Sequence, residues 1–210
     1  MMAQRVFAAV ITAVALYGLV AHTGLFTTKY RKGALGFYTN LSNLAMLAYH
    51  VLLLVAGFFP QSAIYKVLTN PTVYLSATLT ITVTLLVYWV LLAYNDRRHN
   101  PQHFYTTHNF IVHLIVPVLC IAEWALLADK SSLNAFSALV WLVVPLAYVI
   151  YAEIRAKRGQ IYKSTGSAYP YAFMDRHALG IKKYLRNMLL LVIAFYLVGA
   201  VFCLAAYLAA

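Results

Sequence analysis

The sequence predicts an all-α fold: one domain, residues 1–210, forming a bundle of six transmembrane helices with both termini on the non-cytoplasmic side. Three observations predict it. The 210 residues are 63% hydrophobic and 10% charged, with mean hydropathy +0.76, where a soluble domain carries roughly 45–50% apolar and about 25% charged residues. Six apolar runs approach the ~20 residues that cross a bilayer core as helix. The basic residues, finally, crowd into alternate loops.

The same composition excludes other classes. Intrinsic disorder requires low hydrophobicity. A net charge of +11 would indicate nucleic acid only if the basic groups decorated a soluble surface. Here they separate apolar runs and report orientation, so no nucleic-acid partner is expected. Cys120 and Cys203 lie inside apolar runs, which argues against a disulfide framework.

The runs are 6–25, 36–59, 73–94, 107–127, 133–154 and 184–208. The first is longer than a signal-peptide core, and only Arg5 precedes it, while the Lys29, Arg31, Lys32 cluster follows. It reads as an uncleaved helix. The second carries Thr39, Asn43, Met46 and His50 at spacings of four, three and four, on one helical face. The third opens with Asn70-Pro71, and proline suits the first helical turn. The fourth aligns Asn109, His113, Pro117 and Cys120 on one face, with Glu123 beyond. Pro117 in this run and Pro145 in the fifth predict kinks. The sixth run contains no histidine, and residues 155–183 form the one long connection, with 166–171 as a candidate mobile lid.

With six spans, one side holds Arg5, Lys66 and Lys130. The other holds Lys29, Arg31, Lys32, Arg97, Arg98 and eight more between Arg155 and Arg186, thirteen against three. By the positive-inside rule the richer side is cytoplasmic.

Ionisable groups at depth are costly and mark candidate sites. His50 and Glu123 fall at comparable depth, as expected of a structural hydrogen-bonded pair. Thr39 and His113 fall about 5 Å and about 9 Å beneath the cytoplasmic boundary, close enough to meet. A hydroxyl becomes a nucleophile when an adjacent base takes its proton, and imidazole is such a base near neutrality. Packing of small and amide side chains between helices is the plainer reading of the same residues.

Four segments carry a family resemblance: GFYTNLSNL at 36–44, NFIVHLIVP at 109–117, VVPLAYVIY at 143–151 and YPYAFMD at 169–175. Their order and spacing resemble the six-helix family of androgen-induced and androgen-dependent TFPI-regulating membrane proteins and their bacterial relatives. The resemblance covers most of the chain. It implies a threonine hydrolase of fatty acid esters, with Thr39 and His113 at the positions of the family's catalytic pair. The His113-to-Pro117 spacing is closer to the bacterial relatives than to the animal enzymes, which implies a bacterial inner membrane.

The preferred expectation is therefore an intramembrane hydrolase of a lipid ester, without metal or cofactor, taking its substrate from the bilayer. Asn40, Asn43, Asn109 and Tyr171 are candidate substrate or oxyanion contacts. Asp175 or Glu153 is the candidate to orient His113. Three alternatives stand beside it. They are a haem carrier through His50 and His113, a zinc hydrolase using His99, His103 and His108, and a lipid-binding or transport protein.

Overall fold

The computed structural model describes residues 2–28, 30–31, 33–163 and 165–208. Lys29 and Lys32, two members of the basic set, lie outside the described residues. Six helices are long and apolar enough to cross a membrane: α1 (Met2–Thr23), α2 (Tyr38–Ala56), α3 (Pro71–His99), α4 (Thr107–Leu127), α5 (Ser137–Lys157) and α6 (Ile181–Leu208). The chain is an all-helical integral membrane protein, with no strand among the described residues.

The helix ends depart from the apolar runs because hydropathy marks lipid contact and not helix termination. α3 continues through Asp96 and Arg98 to His99, stopping where Asn100 leaves the helical region ahead of Pro101. α2 starts at Tyr38, since Ala34–Gly36 is a separate 3-10 turn entered through Gly33 at φ +88°. α5 starts at Ser137, because the Asn134 side chain accepts the Phe136 and Ser137 N–H groups and holds the chain in a turn before it. At the start of α3, Asn70 caps the helix by accepting from Thr72 and Val73, the role that its place before Pro71 indicated.

Within α3 the stretch Thr78–Thr84 alternates like a strand. It is helical, because its first three hydroxyls find acceptors on their own helix: Thr78 bonds Tyr74 O at 3.0 Å, Thr80 bonds Ser76 O at 2.8 Å and Thr82 bonds Thr78 O at 2.7 Å, while Thr84 pairs with the Ser42 hydroxyl of α2 at 2.6 Å. In lipid this satisfies the hydroxyls at no cost in backbone pairing. Two interruptions accompany the prolines. In α4 a π-helical turn, Ile111–Ile115, ends two residues before Pro117. In α5 the helix loosens at Trp141 and Leu142 and resumes at Val143, so Pro145 sits in a first turn.

α1 to α4 form the packed half of the bundle. Ala8, Ile11, Ala15, Gly18 and Leu19 make the buried stripe of α1. Ile11, Ala15, Met46, Ile81, Val116 and Cys120 form an apolar layer across its middle. Below that layer His50 and Glu123 are fully buried, His50 Nε2 lying 2.9 Å from Glu123 Oε2 and His50 Nδ1 2.7 Å from Met46 O. α6 is peripheral: 11% of its most apolar window is buried, against 39–50% for the other five. It packs on the first turn of α5, on α3 and on Ala172–Met174.

Candidate active site

Above the apolar layer, at the end where the basic loops gather, α2 begins. Its first turn places Thr39, 8% exposed, opposite α4. Thr39 Oγ1 lies 3.1 Å from His113 Nε2, and His113 Nδ1 lies 3.0 Å from the backbone carbonyl of Asn109. A carbonyl can only accept, so the Nδ1 proton is committed to it. That leaves the Nε2 lone pair for the Thr39 hydroxyl, which donates.

The ring is held on its other surfaces too. Tyr88 stacks on it, and the Trp89 indole N–H donates to His113 O at 3.1 Å. The Tyr88 hydroxyl donates to Asp96 at 2.7 Å and accepts from the Asn109 amide at 2.6 Å, while His103 Nδ1 meets the same Asp96 oxygen at 3.0 Å. Tyr88 lies in a second π-helical turn, Tyr88–Leu92. Single π turns recur at functional sites, because the extra residue swings a side chain off the regular helical face. His22, bonded to Asn40 at 2.8 Å, packs its edge against His113, with His103 and His108 clustered around it.

The three asparagines do not serve as oxyanion donors. The Asn40 amide donates to Ala34 O, Asn43 donates to Thr39 O and Val112 O, and Asn109 donates to Tyr88 and Phe104 O. All three are buried braces that fix the Thr39 turn and the π turn of α4. Asp175 and Glu153 do not orient His113. Asp175 accepts from the Ser167 hydroxyl at 2.6 Å and from Ala178 N–H at 2.9 Å. Glu153 accepts from the Tyr169 hydroxyl and faces Arg176. The Asn109 carbonyl takes the orienting place.

Tyr171 does reach the site. Its hydroxyl accepts the Tyr38 N–H at 3.0 Å, and its ring lines a cleft shared with Thr39. Burial pushes its pKa up to about 12, against hydrogen bonds from the Thr39 and Tyr38 backbone N–H groups that favour the ionised form. It is a neutral donor at physiological pH. The segment 166–171, a lid in the sequence reading, is instead tied down at its end: Tyr169 and Tyr171 are buried.

The cleft runs from Thr39 between α3, α5 and α6 and encloses about 100 Å³. Its walls are apolar apart from the hydroxyls of Thr39, Thr84, Tyr38, Tyr88, Tyr148 and Tyr171. Among the described residues no group of three or more His, Cys, Asp or Glu is arranged to hold a metal ion, which removes the His99, His103, His108 zinc reading. His50 and His113 each have both ring nitrogens engaged, so neither offers a free ligand to haem.

Tyr88 and the cleft are the parts that sequence reasoning missed. Tyr88 sits in an apolar run, and its partners Asp96 and Asn109 lie eight and twenty-one residues on, where helical spacing does not point to them. Compared with protein-family models, with curated protein sequences and with solved structures, the chain matches none.

Proposed function

We propose that the protein is an intramembrane hydrolase of lipid esters, with Thr39 as nucleophile and His113 as general base. One observation carries the reading: a threonine hydroxyl 3.1 Å from an imidazole nitrogen whose partner nitrogen is tied to a backbone carbonyl. Such an arrangement lets imidazole take the hydroxyl proton as the oxygen attacks. The resemblance of four segments to a family of threonine hydrolases supports the same assignment.

In the first half-reaction Thr39 Oγ1 bonds the ester carbonyl carbon and its proton passes to His113 Nε2. The tetrahedral intermediate collapses, the carbon–alkoxide bond breaks, and His113 returns the proton to the departing alcohol. Water then attacks the acyl-threonine, giving its proton to His113. Thr39 leaves as hydroxyl with that proton, and the carboxylic acid is released. The Tyr171 phenol, beside Thr39 and neutral, is the donor for the oxyanion, a contribution of about 10²–10³ in rate for one donor.

The test is mass spectrometry of detergent-purified protein after exposure to a fluorophosphonate. The expected result is an adduct on Thr39 that is absent in Thr39→Ala and His113→Ala. No adduct on folded wild-type protein would overturn the hydrolase and leave the cleft as a lipid-binding site.

A further inference from the structure

We propose that the cleft between α3, α5 and α6 is an acyl-chain pocket of limited length, closed by Phe195 and Leu142. The inference rests on the hydrolase reading and adds to it a substrate class: esters of short and medium-chain acids.

Polarity fixes which end of the cleft meets the carbonyl. Thr39, Tyr88, Tyr148 and Tyr171 gather at one end; the Tyr38 and Thr84 hydroxyls are spent on Thr80 O and Ser42, and the remaining walls are built from side chains such as Val83, Leu146 and Val192. Each long helix contributes one face at helical spacing: Val83 and Val87 on α3, Leu142, Pro145 and Val149 on α5, Met188, Leu191 and Phe195 on α6. Leu146 is 46% exposed, so the cleft meets lipid there, and an apolar chain enters without crossing water.

Proton delivery fixes which half of the ester occupies the cleft. His113 must protonate the departing alcohol, and it stands on α4 across Thr39 from the cleft, not among its lining residues. The alcohol therefore leaves on the His113 side, and the acyl chain lies along the cleft.

The far end is closed. Phe195 and Leu142 are the lining residues furthest from Thr39 along their helices. Behind them Trp141 is fully buried, its ring centroid 5.9 Å from that of Phe195. Trp141 itself is pressed onto Gly199, where an added Cβ would fall 2.7 Å from its indole nitrogen. A chain that reached this wall could not push it back. From Met188 to Phe195, or Val149 to Leu142, a helix rises about 10 Å, the reach of roughly eight extended carbons. The enclosed 100 Å³ is of the order of cavities that hold one benzene-sized apolar group.

The experiment compares wild type with Phe195→Ala on p-nitrophenyl esters from acetate to palmitate, a series with constant alcohol and growing acyl chain. Wild type is expected to peak at about four to eight carbons and fall at least about tenfold at palmitate, since single methylenes in a fitted pocket change kcat/KM by about tenfold or more. Phe195→Ala is expected to move the optimum to longer acids. A wild-type optimum at palmitate, or an unchanged profile in folded Phe195→Ala, would overturn the pocket. Leu142→Ala opens the same end from α5 and serves if Phe195→Ala does not fold. Should wild type hydrolyse no ester, the hydrolase reading fails. The pocket is then judged separately, by native mass spectrometry of Thr39→Ala protein with saturated fatty acids of the same lengths. The same length preference would support it, and indifference to length would overturn it.

Discussion

Tyr88 lies flat on His113, with ring centroids 3.7 Å apart and planes inclined by 19°. Both residues belong to π-helical turns, one on α3 and one on α4. Regular helices would have presented neighbouring positions to each other, so the two irregular turns together create the stack. With the Asn109 carbonyl on Nδ1, the stack fixes both the plane and the tautomer of the imidazole facing Thr39.

Replacing Tyr88 should therefore act through His113. Tyr88→Leu removes the stack and the link to Asp96 and Asn109. Misplacing a catalytic group by about 1 Å costs about 10² in rate, so kcat should fall by that order with little change in KM. Tyr88→Phe keeps the stack and loses the hydroxyl, and its loss should be nearer tenfold. Steady-state kinetics and the rate of fluorophosphonate labelling read both. Equal loss in the two variants would mean that the hydroxyl network, not the stack, holds the ring.

The spans, the stripe on α2 and the matched depths of Thr39 and His113 were legible in the sequence because each follows from helical periodicity and rise. The His50–Glu123 contact followed from the same counting. The π turns were not legible, since they violate the period on which the counting rests. The asparagines were misread for a different reason. Their amides are equally suited to bracing a backbone or binding an oxyanion, and only the carbonyls of Ala34, Thr39, Val112 and Phe104 around them decide. The cleft needs three helices at once and the packing of Trp141 on Gly199, which no local pattern encodes.

The His50–Glu123 pair should matter for stability and not for catalysis. Both side chains are buried, and the two ring nitrogens of His50 lie within hydrogen-bond distance of Met46 O and Glu123 Oε2. Removing one partner, as in Glu123→Ala, leaves an unpaired buried group and should cost about 3–5 kcal/mol. The double variant His50→Leu, Glu123→Leu should recover most of it. Thermal unfolding in detergent measures this. Thr39 labelling should persist in every variant that folds, because the apolar layer around Met46 and Ile81 separates the two sites. Lost labelling in folded protein would show that the sites communicate.

Gly18 is expected to control the geometry of His113 from a different helix. A Cβ at this position of α1 would fall 2.5 Å from Ile111 Cγ2 and 3.2 Å from Val112 Cγ1. Both belong to the π turn that carries His113, and a branched methyl close to the backbone cannot swing away. Gly18→Ala should destabilise by about 1–3 kcal/mol through overpacking and slow labelling of Thr39 as the turn shifts. Loss of stability with an unchanged labelling rate would show that the strain is absorbed elsewhere.

The connection between α5 and α6 should loosen in acid through Asp175. Partial burial raises the pKa of this carboxyl, but the Ser167 hydroxyl and the Ala178 and His177 N–H groups outweigh it and hold the value below the ordinary 3.8. A depressed carboxylate contributes its stability above the unfolded pKa and loses it as pH falls through the folded one. The stabilisation is therefore intact near neutrality and disappears below about pH 4. Protonation turns one acceptor oxygen into a donor and takes the charge from the other, weakening both hydrogen bonds and loosening the Arg176–Leu179 turn that Asp175 caps. Since Tyr171, Phe173 and Met174 of the same connection line the cleft, the site should open with it. Hydrogen exchange across 165–180 should rise at acid pH in wild type while the six long helices stay protected. Asp175→Asn keeps a capping oxygen and removes the titration, so its exchange should be higher at neutrality and flatter with pH. An acid-induced rise of equal size in Asp175→Asn would assign the loosening to another group.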